Sequence, residues 1–96
     1  LLRVAFWRPA RRFVAGLRAA GPTRVTRDEV DWFGNRVVTV ENASGAWRVH
    51  AFTGTRARLE VQGPRMAAPV RVRGDARAAG REAAALGEVP ARRAAR

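Results

Sequence analysis

The sequence has no cysteine, lysine, isoleucine or tyrosine, and only one histidine in 96 residues. The lack of Cys excludes disulfides, thiolate metal sites and a cysteine nucleophile within these residues, and leaves the redox compartment unread. No stretch approaches the roughly 18–20 uninterrupted apolar residues of a membrane span, so no membrane is expected as a partner. The opening Leu1-Leu2-Arg3-Val4-Ala5-Phe6-Trp7-Arg8-Pro9 is too short, and too broken by Arg, for a secretory signal. No Met initiates the chain, and it is expected to be a piece of something longer. A chain of this length holds one domain at most, with a small core.

What the chain has in excess is arginine: nineteen against eight acids, a net charge of +11. Such a balance ordinarily points to nucleic acid or an acidic surface. Yet Arg, Ala, Gly and Pro have GC-rich codons, whereas Lys, Ile and Tyr have AT-rich ones. The bias fits a GC-rich genome, favouring a bacterial source and the bacterial cytoplasm. The charge is also uneven: residues 1–27 carry +7, residues 28–64 carry −1 and residues 65–96 carry +5. The neutral middle is the most structured in pattern.

Period-two alternation dominates and argues strands. Leu2, Val4 and Phe6 alternate with Arg3 and Ala5. Phe13, Ala15, Leu17 and Ala19 share one side of an expected second strand that ends at Gly21-Pro22, since Pro has no N–H for a ladder. Val25 to Trp32 reads as a weaker strand, and Arg36 to Glu41 as a good β-branched one. Asn42-Ala43-Ser44-Gly45 is a turn cluster, and also a glycosylation sequon of little weight in a bacterial chain. Trp47, Val49 and Ala51 alternate with Arg48, His50 and Phe52. After an interruption at Thr53-Gly54-Thr55, Ala57, Leu59 and Val61 keep the same parity, so one bent strand and a hairpin fit equally. Gly63-Pro64 ends this stretch.

Beyond Pro69 the pattern changes. Val70–Arg73 suits a short edge strand. Asp75 is a candidate cap for a helix over 76–86, with Gly87 as its stop; Gly80 weakens that helix by about 1 kcal/mol relative to Ala. Residues 89–96 are Ala/Arg-rich, and a disordered tail is expected. The organisation is therefore a β domain over 1–69 and a basic linker or tail over 70–96. The fold class is mainly β: a small antiparallel sandwich-like sheet of about five to seven strands with a candidate C-terminal helix.

The most specific run is Asp31-Trp32-Phe33-Gly34-Asn35-Arg36-Val37. Asp fixes turns by accepting bonds from backbone N–H groups two residues on. Gly34 and Asn35 are the residue types that take positive φ at low cost. Trp32 and Phe33 are large apolar groups, at least one of which is expected to pack on a sheet face. The minimal reading is a β-hairpin.

The run also resembles the Asp–aromatic–Phe-Gly-Asn-Arg-Val signature of the N-terminal β-rich region of bacterial transglutaminase-like proteins, in the papain-like cysteine protease superfamily. Leu2-Arg3-Val4 with Arg8-Pro9, the segment Arg12 to Pro22, and Leu59-Glu60-Val61 resemble that region's other strands in order and spacing. The resemblance covers roughly residues 2–61. The family's opening strand is missing, His50 is displaced from the position where the last strand's lead-in carries His, and residues 70–96 match nothing. The resemblance implies a non-catalytic scaffold accessory to a papain-like catalytic domain in the same protein, where Cys attacks peptide or protein amides, His is the base and Asp orients it. Within this chain it implies no enzyme activity and no catalytic, cofactor or metal residue. The missing first strand implies an exposed sheet edge prone to association.

Two other readings stand beside it. One is a nucleic-acid-binding module, with Arg71, Arg73, Arg77 and Arg81, or Arg92, Arg93 and Arg96, on phosphates and Trp7, Phe13 and Trp47 stacked on bases. The other is a fragment with no independent function. His50 lacks the partners of a metal site. Asp28, Glu29 and Asp31 lack the spacing of a calcium loop and are expected to bridge to Arg27 or Arg36.

Overall fold

The computed structural model describes residues 7–95. A helix α1 (Arg8–Ala20) leads into strands β1 (Arg24–Val30), β2 (Arg36–Asn42), β3 (Gly45–Phe52), β4 (Arg58–Gln62) and β5 (Val70–Val72). Helix α2 (Ala76–Ala83) follows, then a 3-10 turn (Ala91–Arg93) and a short β6 (Ala94–Ala95). The six strands form one antiparallel sheet in chain order, β1-β2-β3-β4-β5-β6. The fold is mainly β with a C-terminal helix, as the pattern indicated.

The segment expected as a second strand, Arg12 to Ala19, is instead the body of α1. Its alternation was incidental. Ala10, Phe13, Val14 and Leu17 repeat at the i, i+3, i+4, i+7 spacing of a helical stripe, and all four are buried, while Ala15 and Ala19 are exposed. Pro9 falls in the first turn, where its missing N–H costs nothing. The expected strand at Leu2–Phe6 lies outside the described residues.

The β-branched alternation from Val37 onward does form strands. Val38 and Val40 of β2, Trp47, Val49 and Ala51 of β3, and Leu59 and Val61 of β4 all point to one face and are buried. The chain from Trp47 to Val61 is a hairpin: the turn at Gly54–Arg56 reverses it, and Val49 pairs with Val61. Both helices cover that face. Phe13 packs on Trp47 with ring centroids 5.9 Å apart and planes tilted by 55°, a favourable aromatic geometry. The Trp47 indole donates to Asn42 Oδ1 at 3.0 Å, so the largest core side chain has its polar atom satisfied. That same oxygen accepts the Ser44 N–H, committing the sequon's Asn side chain to the turn.

Asp75 caps α2 by accepting the Ala78 N–H at 2.9 Å. The helix ends at Ala83, three residues short of the expected Leu86, and Gly87 (φ +73°) closes the following turn through its N–H to Ala83 O. The expected disordered tail is ordered through residue 95. Val89 is buried in the common core, the Arg73 N–H donates to Arg93 O at 2.9 Å, and β6 pairs with β5. Consequently β5 is an interior strand, and among the described residues the long edge strand of the sheet is β1.

Candidate functional site

The Asp31–Val37 run forms the connection between β1 and β2, and its polar residues build a clamp beneath an apolar tip. Asp31 Oδ1 accepts the N–H groups of Phe33 and Asn35, each at 2.9 Å. Asp31 Oδ2 accepts the Asn35 amide at 3.1 Å and lies 3.3 Å from His50 Nε2. Backbone bonds close the loop: Asp31 N–H to Asn35 O at 2.8 Å and Gly34 N–H to Asp31 O at 3.0 Å. Asn35 is buried, and its Oδ1 accepts both the N–H and the hydroxyl of Thr53. The turn is thereby fastened to the end of β3.

Around this clamp, the Trp7 indole donates to Gly34 O at 3.3 Å, and the Arg36 guanidinium sits 5.3 Å above the Trp7 ring. Arg36 also forks onto Asp28, with Nε 2.9 Å from Oδ1. Arg27 pairs with Glu29 at 2.8 Å. The acidic cluster is thus engaged as expected, except that Asp31 serves the turn. Val37 is half-buried opposite His50 on the sheet face away from the helices.

Electrostatically, burial pushes the Asp31 carboxyl up. The bonds from Asn35, Phe33 and His50 outweigh that and hold it below its usual value. For Asp28 the Arg36 hydrogen bond is the largest cause, and its carboxyl too is held low.

Two expectations fail at this turn. Neither Trp32 nor Phe33 packs on the sheet: they are 93% and 82% exposed. The polar anchors at Asp31 and Asn35 turn the chain beyond the end of the sheet, so the residues between them have no sheet beneath. Only Gly34 takes positive φ (+83°); Asn35 does not, and contributes its side chain instead.

The residues expected to bind nucleic acid are not brought together. Phe13 and Trp47 are fully buried and cannot stack on bases. Arg71 follows the Glu60 register on the sheet face away from the helices, whereas Arg77 and Arg81 lie on α2. Arg92 and Arg93 are held by Glu82. Arg96 lies outside the described residues. Arg8, Arg11, Arg77 and Arg81 have no acidic partner among the described residues.

A second feature escaped the sequence pattern. Helix α1 packs over β2 and β3 and leaves the inner face of β1 open, so Val25 and Val30 remain 40% and 47% exposed. Between α1 and β1 runs a groove of about 210 Å³, lined by Arg11, Val14, Arg18, Val25, Asp28 and Val38, among others. Arg11, Val14 and Arg18 stand at i, i+3 and i+7, one face of a helix; reading this segment as a strand hid the stripe. Among the described residues no group of three His, Asp or Glu side chains is placed to hold a metal, and no helix is long and apolar enough to cross a membrane. No protein family, curated protein or solved structure matches the chain.

Proposed function

We propose that this chain is a non-catalytic docking module, and that the Trp32–Phe33 tip is the contact by which it seats on a partner domain. One observation carries the reading: two adjacent large aromatics stand in water on a backbone that Asp31 and Asn35 hold rigidly. Exposing such groups forgoes about 1.5–3 kcal/mol each of burial, and rigid aromatic anchors are the residues that dominate interfaces, because little entropy is lost when they dock. The resemblance of Asp31–Val37 supplies the partner: a papain-like catalytic domain of the same protein, acting on peptide or protein amides. The thiolate chemistry belongs to that domain, and this chain's part is to position it.

The reading implies a polypeptide that joins this chain to the catalytic domain, and the test compares the chain with that polypeptide, both labelled with 5-fluorotryptophan. The Trp32 fluorine resonance, assigned with Trp32→Phe, is expected to lose its solvent isotope shift in the longer polypeptide. A Trp32 signal that stays solvent-exposed there, or a longer polypeptide without a Cys-containing domain, rejects the reading.

Arg8, Arg11, Arg77 and Arg81, which have no acidic partner among the described residues, favour a second reading, binding to nucleic acid through phosphates alone. It requires affinity that falls linearly with the logarithm of salt concentration. A chain that is not retained on nucleic acid at low salt lacks that function.

A further inference from the structure

The sheet has two edges of unequal kind. β6 is two residues long, whereas β1 is a seven-residue edge strand, exposed at every position. An edge strand offers a row of unpaired N–H and C=O groups on its outer side. Here that row borders the α1–β1 groove, whose centre is apolar (Val14, Val25 and Val38) and whose helical wall carries Arg11 and Arg18. The acid within the groove, Asp28, is already neutralised by Arg36. Among the described residues Arg11 has no acidic partner and Arg18 donates only to the carbonyl of Thr23, so the wall presents positive charge that no described carboxylate compensates.

We infer that β1 is a strand-addition site for an extended peptide segment from a partner, whose inward-facing side chains are apolar and acidic. Main-chain hydrogen bonds to β1 supply the pairing. Alternate side chains of the added strand lie over the groove, apolar groups against Val14 and Val25, and carboxylates within reach of Arg11 and Arg18.

A second copy of this chain is a poor occupant. An antiparallel two-fold pairing of β1 with itself in a regular register sets a residue opposite its own copy. Centred on Arg27 or Glu29, that sets like charges face to face, which is destabilising; centred on Asp28 it sets Asp28 on its own copy but also Arg27 opposite Glu29, so there it is the overall charge that opposes pairing. Each copy also carries a net charge of +11. The charges that discourage self-pairing leave room for a strand of complementary charge.

This site is distinct from the Trp32–Phe33 tip, and its test does not depend on that reading. The probe is a fluorescein-labelled peptide of seven residues, the length of β1, with Val and Glu on one strand face and Ser and Thr on the other. The controls are the same peptide with Lys for Glu, and an oligothymidylate of equal charge. The acidic peptide is expected to bind, and hydrogen exchange is expected to slow at β1 amides.

Arg11→Ala combined with Arg18→Ala is expected to weaken binding by roughly five- to tenfold, on the scale of two exposed ion pairs. Both side chains are exposed, so the variant retains the fold; Trp32→Ala is expected to change nothing. No binding at about 1 mM peptide, binding that protects no β1 amide, equal binding of the Lys peptide, or an oligothymidylate that binds as tightly would each overturn the inference.

Discussion

Gly16 of α1 and Gly80 of α2 lie where the two helices touch backbone to backbone. A Cβ built on Gly16 would fall 2.1 Å from Arg77 O, and one on Gly80 would fall 2.2 Å from Phe13 O. Helix propensity alone says that Gly80→Ala should gain about 1 kcal/mol. The contact reverses the sign, because a methyl group there must push two backbones apart. Gly80→Ala and Gly16→Ala are each expected to destabilise by about 1–3 kcal/mol or more, the cost of overpacking. Urea denaturation followed by far-ultraviolet circular dichroism measures it, and a raised midpoint for either variant contradicts the helix contact.

The turn at Asp31–Asn35 makes a graded prediction. Asn35→Ala removes a buried side chain and leaves the half-buried Thr53 N–H, just past β3, without its acceptor, and is expected to cost about 1–3 kcal/mol. Gly34→Val has open space around its new side chain, so its cost is the backbone strain of a β-branched residue at φ +83°, of order 1–2 kcal/mol. Trp32→Ala and Phe33→Ala remove only solvated groups and are expected to leave thermal midpoints nearly unchanged. A stability loss at Trp32 equal to that at Asn35 would mean that the tip packs on its own sheet.

Much of this fold was legible, and the failures have identifiable physical causes. β2, β3 and β4 could be read because one face is buried and the other wet, which writes a period of two into Val38, Val40, Trp47, Val49, Leu59 and Val61. α1 was misread because Ala at positions 15 and 19 serves either period, while its true stripe includes the small Ala10. The tail looked disordered because its order rests on one buried Val, on backbone bonds and on tertiary pairing of Arg92 and Arg93 with Glu82, none of which composition displays. At the site, Asp31 and Asn35 announced a turn. The exposure of Trp32 and Phe33 was hidden, because an apolar residue does not state what covers it. The groove joins α1 to an edge strand and exists only in the tertiary structure.

Acid should weaken the turn in a defined direction. The Asp31 and Asp28 carboxyls are held below the usual 3.8, the first by bonds from Asn35, Phe33 and His50 that outweigh burial, the second chiefly by Arg36. A folded-state pKa below the unfolded one contributes stability that is fully present above the unfolded value and lost as pH falls through the folded value. The thermal midpoint is therefore expected to hold down to about pH 4 and to fall below it. Asp31→Asn removes one titrating group and should make the acid limb shallower, at the cost of a lower midpoint at neutral pH. The growing net positive charge acts on both proteins alike, so the difference between the two curves isolates Asp31. Parallel acid limbs would show that its carboxylate gives the turn no net support.

The C-terminal segment yields the last prediction. Ending the chain at Glu88 removes Val89 from the core, β6 from the edge of β5, and the carbonyls of Arg92 and Arg93 that accept from Arg73. Val89 alone is worth about 1.5–3 kcal/mol when fully buried, a large part of the margin of so small a domain. The truncated chain is therefore expected to unfold at markedly lower urea, and its Arg73 amide to exchange faster. Val89→Ala should reproduce part of the loss with the strand pairing intact. Glu82→Gln, which removes the charge from a half-buried fork with Arg93 and from an outer pair with the exposed Arg92, should cost less than the truncation, because the core contact of Val89 and the β5–β6 pairing stay in place. If truncation left the midpoint where it was, residues 89–95 would be a solvated tail, and β5, not β6, would be the edge of the sheet.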